Sequence, residues 1–291
     1  MKRRQFVQQS SIAGGSLVLS PALFRLSILG KKHIGVQLYS VREDMRKDPG
    51  KTIAGVAKIG YQEVEGFGYN EGKFFGMTPT EFNAVLKDSG LSMPSMHYIV
   101  GITSWDDKTS QLTDNVKAAI ETFAGLGQKM VVCPFIVNAQ RDQESVRKLC
   151  DIFNNTGELC RQHGMRFAYH NHEFEFMTEG GTLMFDQLLN GTNPELMDIQ
   201  LDLYWVVYVG HDPMEWMRKM GSRVTSLHVK DIGTDRKSVE VGEGKIDFAS
   251  IFAMPEASNV KYYIVELDHY KRTPIEGIEV SYHNLKRLLN T

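Results

Sequence analysis

The sequence lacks the features that mark three common classes of protein. It has three cysteines, Cys133, Cys150 and Cys160, and no CxxC pair, so it predicts neither a disulfide framework nor a cysteine-based zinc or redox site. Its 33 basic and 35 acidic residues give a net charge of −2, without the basic excess that nucleic-acid or membrane-surface binding requires. No apolar run reaches the roughly 20 residues of a membrane-spanning helix. We therefore expect buried thiols, no nucleic acid, no stable membrane span and a small-molecule partner.

The composition is that of a globular protein with enough chain for one large core. Of the 291 residues, 42% are hydrophobic and 23% are charged. No internal repeat, low-complexity tract or linker interrupts the chain after Lys32. A single domain over residues 29–291 is the simplest prediction, and the sequence leaves open whether it forms an oligomer.

The first 28 residues differ from the rest and are predicted to be an export signal with a linker. Arg3 and Arg4 are followed by Phe6 and Val7, which resembles the twin-arginine export motif, and a small-residue stretch leads to a cleavage site at Ala22. An amphipathic helix or an uncleaved anchor is the alternative. The segment predicts an exported, periplasmic protein that folds before it crosses the membrane.

Eight short β-rich runs alternate with helical segments in the rest of the chain. The runs are HIGVQLYSV, YQEVEGFG, LSMPSMHYI, KMVVCPFIV, RFAYHNHEF, MDIQLDLYW, VTSLHVKD and KYYIVELDH. Strict alternation predicts parallel strands with crossover helices, and eight repeats predict an α/β fold closed into a (β/α)8 TIM barrel. The segment IGTDRKSVEVGEGKIDF is expected to be a mobile loop over the barrel mouth, and GIEVSYHNLKRLLN a closing helix.

Four side chains of metal-binding type end the last four strand runs at intervals of roughly 30 residues, the length of one strand-plus-helix unit. They are His170, Asp202, His228 and Glu266. A barrel gathers the C-terminal ends of its strands on one face, and this mixture of imidazole and carboxylate suits one divalent ion: Mn, Zn, Co, Fe or Mg. Each residue alone is more often a helix cap or a hydrogen-bonded histidine. Four in consecutive units favour a metal site.

Further side chains are expected around the same site. His172 lies two residues after His170 and points the same way in a regular strand, so either histidine can be the ligand. Lys230 can stabilise an enolate or a substrate anion, with a structural salt bridge to Asp231 or Glu243 as the alternative. The other candidates for substrate contacts are His172, Glu173, His97, Glu65 and Trp205.

These motifs resemble the xylose isomerase-like TIM-barrel superfamily, which includes sugar-phosphate isomerases and epimerases, inosose dehydratases and AP endonuclease family 2. The pieces that carry the resemblance are GVQLYSVRED, AYHNHEFEF, SLHVKDIG, VGEGKIDF and YIVELDH. In the epimerase branch the resemblance implies a metal held by Glu, Asp, His and Glu, with the two glutamates as an acid/base pair. Asp202, His228 and Glu266 match three positions, and His170 replaces the first glutamate.

The resemblance implies a metal-dependent sugar isomerase or epimerase that acts on a carbohydrate or keto-sugar through an enediolate. Glu266 is then the general base, His170 or His172 assists proton return, and Lys230 holds the developing oxyanion. Because His170 replaces a carboxylate, a keto-sugar dehydratase or 3-keto-glycoside lyase on the same metal site stays open. A sugar-binding barrel without catalysis stays open as well. Export favours free or oxidised sugars over sugar phosphates.

Overall fold

The structure is a computed structural model that describes residues 32–179 and 181–290. Eight parallel strands close into a barrel in which each strand pairs with its neighbours in sequence. The strands are β1 (His33–Gln37), β2 (Glu63–Gly66), β3 (Ser92–His97), β4 (Met130–Cys133), β5 (Arg166–His170), β6 (Met197–Asp202), β7 (Val224–Val229) and β8 (Tyr262–Val265). The predicted (β/α)8 barrel is confirmed. The predicted export signal at residues 1–28 lies outside the described residues.

The described residues form ten α-helices that surround the barrel. They are α1 (Arg42–Lys47), α2 (Pro49–Ile59), α3 (Pro79–Asp88), α4 (Asp114–Gly125), α5 (Gln143–Gln162), α6 (Met184–Gly191), α7 (Leu203–Tyr208), α8 (Pro213–Met220), α9 (Phe248–Phe252) and α10 (Pro274–Leu288). Local signals fix their ends: Thr78 and Thr273 form capping boxes, and Gly60 ends α2 with a φ of +116°. None of these helices is long and apolar enough to span a membrane.

The core lies in and around the barrel wall, and each strand is shorter than the run that predicted it. All six residues of β6 are buried, as expected for a parallel strand covered on both sides. The predicted runs continue beyond the strands because the residues after each strand leave the barrel wall for a loop or a short helix, such as the 3-10 helix Leu38–Val41 after β1. Cys133, Cys150 and Cys160 are free and buried, as predicted.

The loop after β7 is tied down, contrary to the expectation of a mobile loop. It contains a short antiparallel pair, Asp231–Ile232 with Ser238–Val239. The Asp231 carboxylate accepts four backbone N–H hydrogen bonds of 2.8–3.1 Å, from Ile232, Gly242, Gly244 and Ile246. A buried carboxylate at the centre of the loop therefore replaces the hydrogen bonds that a mobile loop would make with water.

The closing helix is confirmed as α10, which packs against α2, β1 and β8. Tyr61, buried after α2, donates a hydrogen bond of 2.8 Å to the carbonyl of Ile278 in α10. The last helix thus covers the seam where β8 pairs with β1.

Candidate functional site

Four side chains converge where the last four strands end. His170 ends β5, Asp202 ends β6, His228 lies on β7 and Glu266 directly follows β8. All four residues are buried, and one ligand atom from each lies within 4.8 Å of the others. The structure therefore brings together the four residues that the sequence suggested as ligands.

This set of atoms fits a divalent cation. Asp202 Oδ2 is buried without a hydrogen-bond partner among the described residues. It lies 3.8 Å from His170 Nε2 and 3.9 Å from Lys230 Nζ, beyond hydrogen-bonding range of both. A buried carboxylate oxygen without a partner is costly, and a cation bound at this point satisfies it. The two imidazoles and two carboxylates are ligands that first-row divalent metals accept.

Glu65 holds one of the candidate ligands from the interior of the barrel. Its Oε1 lies 2.6 Å from His228 Nε2, while His228 Nδ1 lies 3.0 Å from Glu266 Oε2. Because Nε2 is taken by a carboxylate, Nδ1 is the atom that faces the ligand cluster, an arrangement common for metal-binding histidines. Burial alone lowers the pKa of His228, but the charges of Glu65 and Glu266 raise it to about 10. A metal ion must displace this proton when it binds.

A polar layer inside the barrel fixes Glu65 in turn. The carboxylate accepts hydrogen bonds from Gln37 at 2.9 Å, from Ser95 at 2.7 Å and from Gln200 at 2.7 Å. Its Oε1 also lies 2.9 Å from His97 Nε2. Burial raises the pKa of Glu65, but His97 and His228 hold it well below its usual range. Glu65 is therefore a carboxylate that positions other side chains and is fully buried beneath the site, not a residue that faces substrate.

A cavity of about 440 Å³ opens at this end of the barrel. Its polar half comes from β5, β7 and β8 and the residues that follow them, with His97 from β3. The polar lining residues are His97, His170, His172, Lys230, Glu266 and Asp268. Its apolar half comes from residues that follow β1 to β4: Tyr39, Phe67, Ile99, Pro134 and Phe135. This is a pocket with a few convergent polar groups on one side, as small-molecule sites usually have.

Lys230 places a buried positive charge in the polar half. Its ammonium forms an ion pair with Asp268 and lies 3.5 Å from Glu266 Oε2. The rings of Tyr204 and Trp205 lie 5.1 and 5.0 Å from the ammonium. Burial lowers the pKa of Lys230, but the charges of Glu266 and Asp268 have the larger effect, so the pKa lies above its usual range. The side chain is therefore a cation at neutral pH.

The sequence left open a structural salt bridge between Lys230 and Asp231 or Glu243. Lys230 does form a salt bridge, but its partner is Asp268. Asp231 faces the loop after β7, as described above, and Glu243 pairs with Arg272 at 2.8 Å. Successive residues of an extended chain point to opposite sides, so Lys230 and Asp231 diverge although they are adjacent in sequence. Asp268 reaches Lys230 because it follows β8, the strand that pairs with β7.

His172 lines the cavity but lies outside the four-residue ligand cluster. Its Nδ1 is buried without a hydrogen-bond partner among the described residues. Burial, with a contribution from Lys230, lowers its pKa to about 3. His170, whose pKa burial also holds well below the usual range, is the histidine that joins Asp202, His228 and Glu266. His172 is therefore a neutral imidazole with a free ring nitrogen beside the cluster.

The remaining candidates for substrate contacts lie near the cavity. Trp205 packs against the ring of His172, with centroids 5.3 Å apart. Glu173 is half-buried, and neither residue belongs to the lining found for the described chain. Gln200 was not predicted from the sequence, although its amide oxygen lies 2.8 Å from His97 Nε2 and 3.2 Å from His170 Nδ1. The signal was present, since Gln200 precedes Asp202 by two residues and shares its side of β6.

Comparison with known proteins identifies the family. A family model described as xylose isomerase-like TIM barrel matches residues 53–288. The chain belongs to this family. The resemblance inferred from its motifs is thereby confirmed.

Proteins named for two different activities resemble this chain. The inosose dehydratase of Clostridium perfringens is 28% identical over 157 residues, 46% of this chain and 52% of that protein. The inosose dehydratase of Geobacillus kaustophilus is 23% identical over 239 residues, 70% of this chain and 74% of that protein. The crystal structure of a sugar phosphate isomerase/epimerase from Parabacteroides distasonis superposes with a TM-score of 0.74 at 28% identity, covering 88% of this chain and 98% of that one. The Clostridium match thus spans about half the length of the relative.

Proposed function

We propose that this protein is a metal-dependent enzyme that eliminates a group from a keto-sugar, as a dehydratase or a lyase does. It removes a proton from the carbon next to the carbonyl and expels an oxygen substituent from the following carbon. The observation that carries the proposal is the unpaired, neutral His172 beside a cluster with the ligand set of a divalent metal. The inosose dehydratases among the relatives support the same chemistry.

The composition of the cavity favours elimination over epimerisation by two carboxylates. Epimerisation of the type implied for the family uses two glutamates on opposite faces of the substrate. Here His170 takes the place of the first glutamate, and Asp268, the second carboxylate of the cavity, is paired with Lys230. Because Asp268 already forms an ion pair with the Lys230 ammonium, it is a poor substitute for that glutamate.

His172 is the proposed proton acceptor. It lines the cavity beside the ligand cluster, and its Nδ1 carries no competing hydrogen bond among the described residues. Glu266, the base suggested by the family resemblance, already has neighbours: Oε2 lies 3.0 Å from His228 Nδ1 and 3.5 Å from Lys230 Nζ. We assign Glu266 to the ligand set and His172 to proton transfer.

Residues that line the cavity can carry the proton and the charge through the whole elimination. His172 takes the proton from carbon, and the C–H electron pair forms the enolate, whose negative oxygen Lys230 stabilises. The carbonyl then re-forms, the C–O bond to the leaving group breaks, and His172 returns its proton to the departing oxygen. The products are an unsaturated ketone and water or an alcohol. His170, Asp202, His228 and Glu266 would hold the metal ion, which supplies a Lewis acid for the sugar oxygens when bound.

The experiment is a mass analysis of products from a panel of keto-sugars, inosose and 3-keto-glucosides, with the metal-loaded protein. Elimination yields products that have lost water or the aglycone. His172→Gln is expected to lower kcat at least about a hundredfold, the usual size of a general-base contribution, with the metal still bound. Full activity in this variant would remove His172 from the mechanism, and products of unchanged mass would remove elimination.

Isomerisation or epimerisation is the second candidate. It is favoured by the likeness to the Parabacteroides protein, which is named a sugar phosphate isomerase/epimerase. Both reactions begin with the same proton abstraction, so exchange of substrate hydrogen with D₂O occurs in both. Only isomerisation conserves the mass of the substrate. A barrel that binds sugar without catalysis would give neither exchange nor products.

We also propose that the protein acts outside the cytoplasm. The proposal rests on Arg3 and Arg4 and the small-residue stretch after them. Cell fractionation of the full chain beside an Arg3→Lys, Arg4→Lys variant tests it. We expect periplasmic protein only from the unchanged sequence, and equal periplasmic amounts would contradict the assignment.

A further inference from the structure

The cavity is divided into a polar half and an apolar half. The apolar half contains Tyr39, Phe67, Ile99, Pro134 and Phe135. Tyr39 and Phe67 form an edge-to-face pair with centroids 5.4 Å apart. Such a surface offers ring and alkyl contacts and no charge to a ligand that occupies it.

Two residues of this apolar half are unusually exposed for their type. Within residues 32–179 and 181–290, the most exposed large hydrophobic residues are Tyr39 at 38%, Ile99 at 49% and Met177 at 60%. Two of the three therefore lie at the mouth of one cavity. Exposed apolar side chains that cluster beside a pocket mark a surface that a ligand covers.

Apart from the proposed metal ion, the cavity has little positive charge to offer to a phosphate. Lys230 is the one cation among the lining residues of the described chain, and Asp268 and Glu266 already surround its ammonium. Arg42 stacks on the ring of Tyr39 at 4.5 Å, but its guanidinium donates to the carbonyls of Tyr39 and Asp268. Recognition of a phosphate dianion normally uses several free cationic or N–H donors.

In the loop that often binds phosphate in TIM barrels, the backbone N–H donors are here bonded to a side chain of the protein itself. In this fold the loops after the seventh and eighth strands commonly supply backbone N–H groups to a phosphate. In this chain the N–H groups of Gly242 and Gly244 each donate at 2.9 Å to Asp231 Oδ2, and that of Ile246 donates at 3.1 Å to Oδ1. A carboxylate of the chain thus occupies the donors that an external anion needs.

We propose that the substrate is an uncharged keto-glycoside with an apolar aglycone, not a sugar phosphate. This inference rests on the proposed elimination and names its substrate. The sugar ring lies against the polar half, and the aglycone lies against Tyr39, Phe67, Ile99 and Phe135. Phe135 also contacts the ring of His172, with centroids 6.2 Å apart, so the apolar surface adjoins the proposed proton acceptor. The bond to the aglycone oxygen breaks, and that oxygen leaves with the proton taken from carbon.

Three matched substrates test the inference with the metal-loaded protein: phenyl 3-keto-glucoside, its methyl counterpart and the 6-phosphate of the phenyl compound. Release of phenol or methanol gives kcat/KM, and calorimetry gives binding. We expect the phenyl compound to exceed both others by about tenfold or more. Equal or better turnover of the phosphate, or of the methyl compound, overturns the inference and leaves elimination intact. If none reacts, elimination fails, and the calorimetric order of the three ligands decides the inference separately.

Ile99 and Met177, two exposed apolar residues, provide a test variant and its matched control. Ile99→Ser is expected to lower kcat/KM for the phenyl compound about tenfold and for the methyl compound much less. Met177→Ser removes a side chain of comparable exposure outside the cavity lining and is expected to change neither value. Equal losses for both compounds in Ile99→Ser, or no loss for either, contradict an aglycone site at this surface.

Discussion

At the scale of single residues, Glu65 shows how a buried acid acts through another side chain. It fixes His228 by a hydrogen bond to Nε2, which leaves Nδ1 facing the ligand cluster. We expect Glu65→Gln to weaken binding of Mn²⁺ or Zn²⁺ by about 10–100-fold, as loss of a carboxylate behind a metal-binding histidine typically does. Competition with a chelator measures it.

The control for Glu65→Gln is Glu121→Gln, an exposed position on α4. Glu65→Asp retains the carboxylate and is expected to recover part of the affinity. Thermal unfolding of the metal-free proteins separates this effect from a general loss of stability, because Gln37 and Ser95 also donate to Glu65. Affinity within twofold of the unchanged protein would show that Glu65 does not position His228.

Glu175 predicts a pH dependence of stability. It is fully buried and accepts hydrogen bonds from the Tyr169 hydroxyl at 2.5 Å and the His172 N–H at 2.8 Å. Burial raises its pKa from 4.5 to about 8. The folded chain therefore keeps a proton that the unfolded chain releases, and the stability from this site, full below pH 4.5, falls as pH rises and is lost by about pH 8.

Glu175→Gln removes this proton and its pH dependence. The free energy of unfolding of the variant, relative to the unchanged protein, is expected to rise by on the order of 1 kcal/mol per pH unit between about pH 5 and 8. Urea unfolding at several pH values measures the difference. A difference that does not change with pH would mean that Glu175 ionises normally in the folded protein.

At the scale of elements, the loop after β7 depends on a glycine for its hydrogen bonds. A Cβ at Gly244 would lie 2.2 Å from Asp231 Oδ1 and 2.6 Å from the carbonyl of Ile232. Gly244→Ala is therefore expected to displace the Asp231 carboxylate and destabilise the fold by about 1–3 kcal/mol. Chemical denaturation measures the loss.

Gly125→Ala in α4 is the matched control, since a Cβ there meets nothing within 4 Å. The added methyl group favours the helix, so the control is expected to be neutral or slightly stabilising. If Gly244→Ala behaves like the control, the loop is not held by Asp231 in the way described.

At the scale of the whole molecule, a metal ion held by His170, Asp202, His228 and Glu266 would link four strands that are distant in sequence. An ion that binds only the folded chain stabilises it by about 2.7 kcal/mol at a hundred times its dissociation constant. For a domain of this size we expect Tm to rise by about 5 °C when Mn²⁺ or Zn²⁺ is added. Differential scanning calorimetry with and without a chelator measures the shift.

Asp202→Asn provides the control for this shift. Asp202 Oδ1 caps α7 by accepting from the N–H of Tyr204 at 2.8 Å, and an asparagine oxygen keeps that hydrogen bond. The carboxylate charge near Oδ2 is lost, so the metal-dependent rise in Tm should largely disappear. The same rise in both proteins would place the ion elsewhere.

The sequence by itself determined the barrel fold and the face of the barrel on which the candidate metal ligands meet. Hydrophobic runs and helix caps are local patterns, so eight strands and helix starts such as Thr78 were readable without tertiary contacts. His170, Asp202, His228 and Glu266 were also predictable as a group, because parallel strands in a barrel end on one face.

Tertiary structure alone decided which side chains touch across the barrel. Glu65 and His228 are 163 residues apart and meet inside the barrel, so no local pattern joins them. Lys230 pairs with Asp268 and not with the adjacent Asp231, because adjacent residues of a strand diverge while neighbouring strands align. The local pattern determines which elements form. Strand order, register and barrel closure determine which polar groups find partners, and they leave the buried Nδ1 of His172 without one among the described residues.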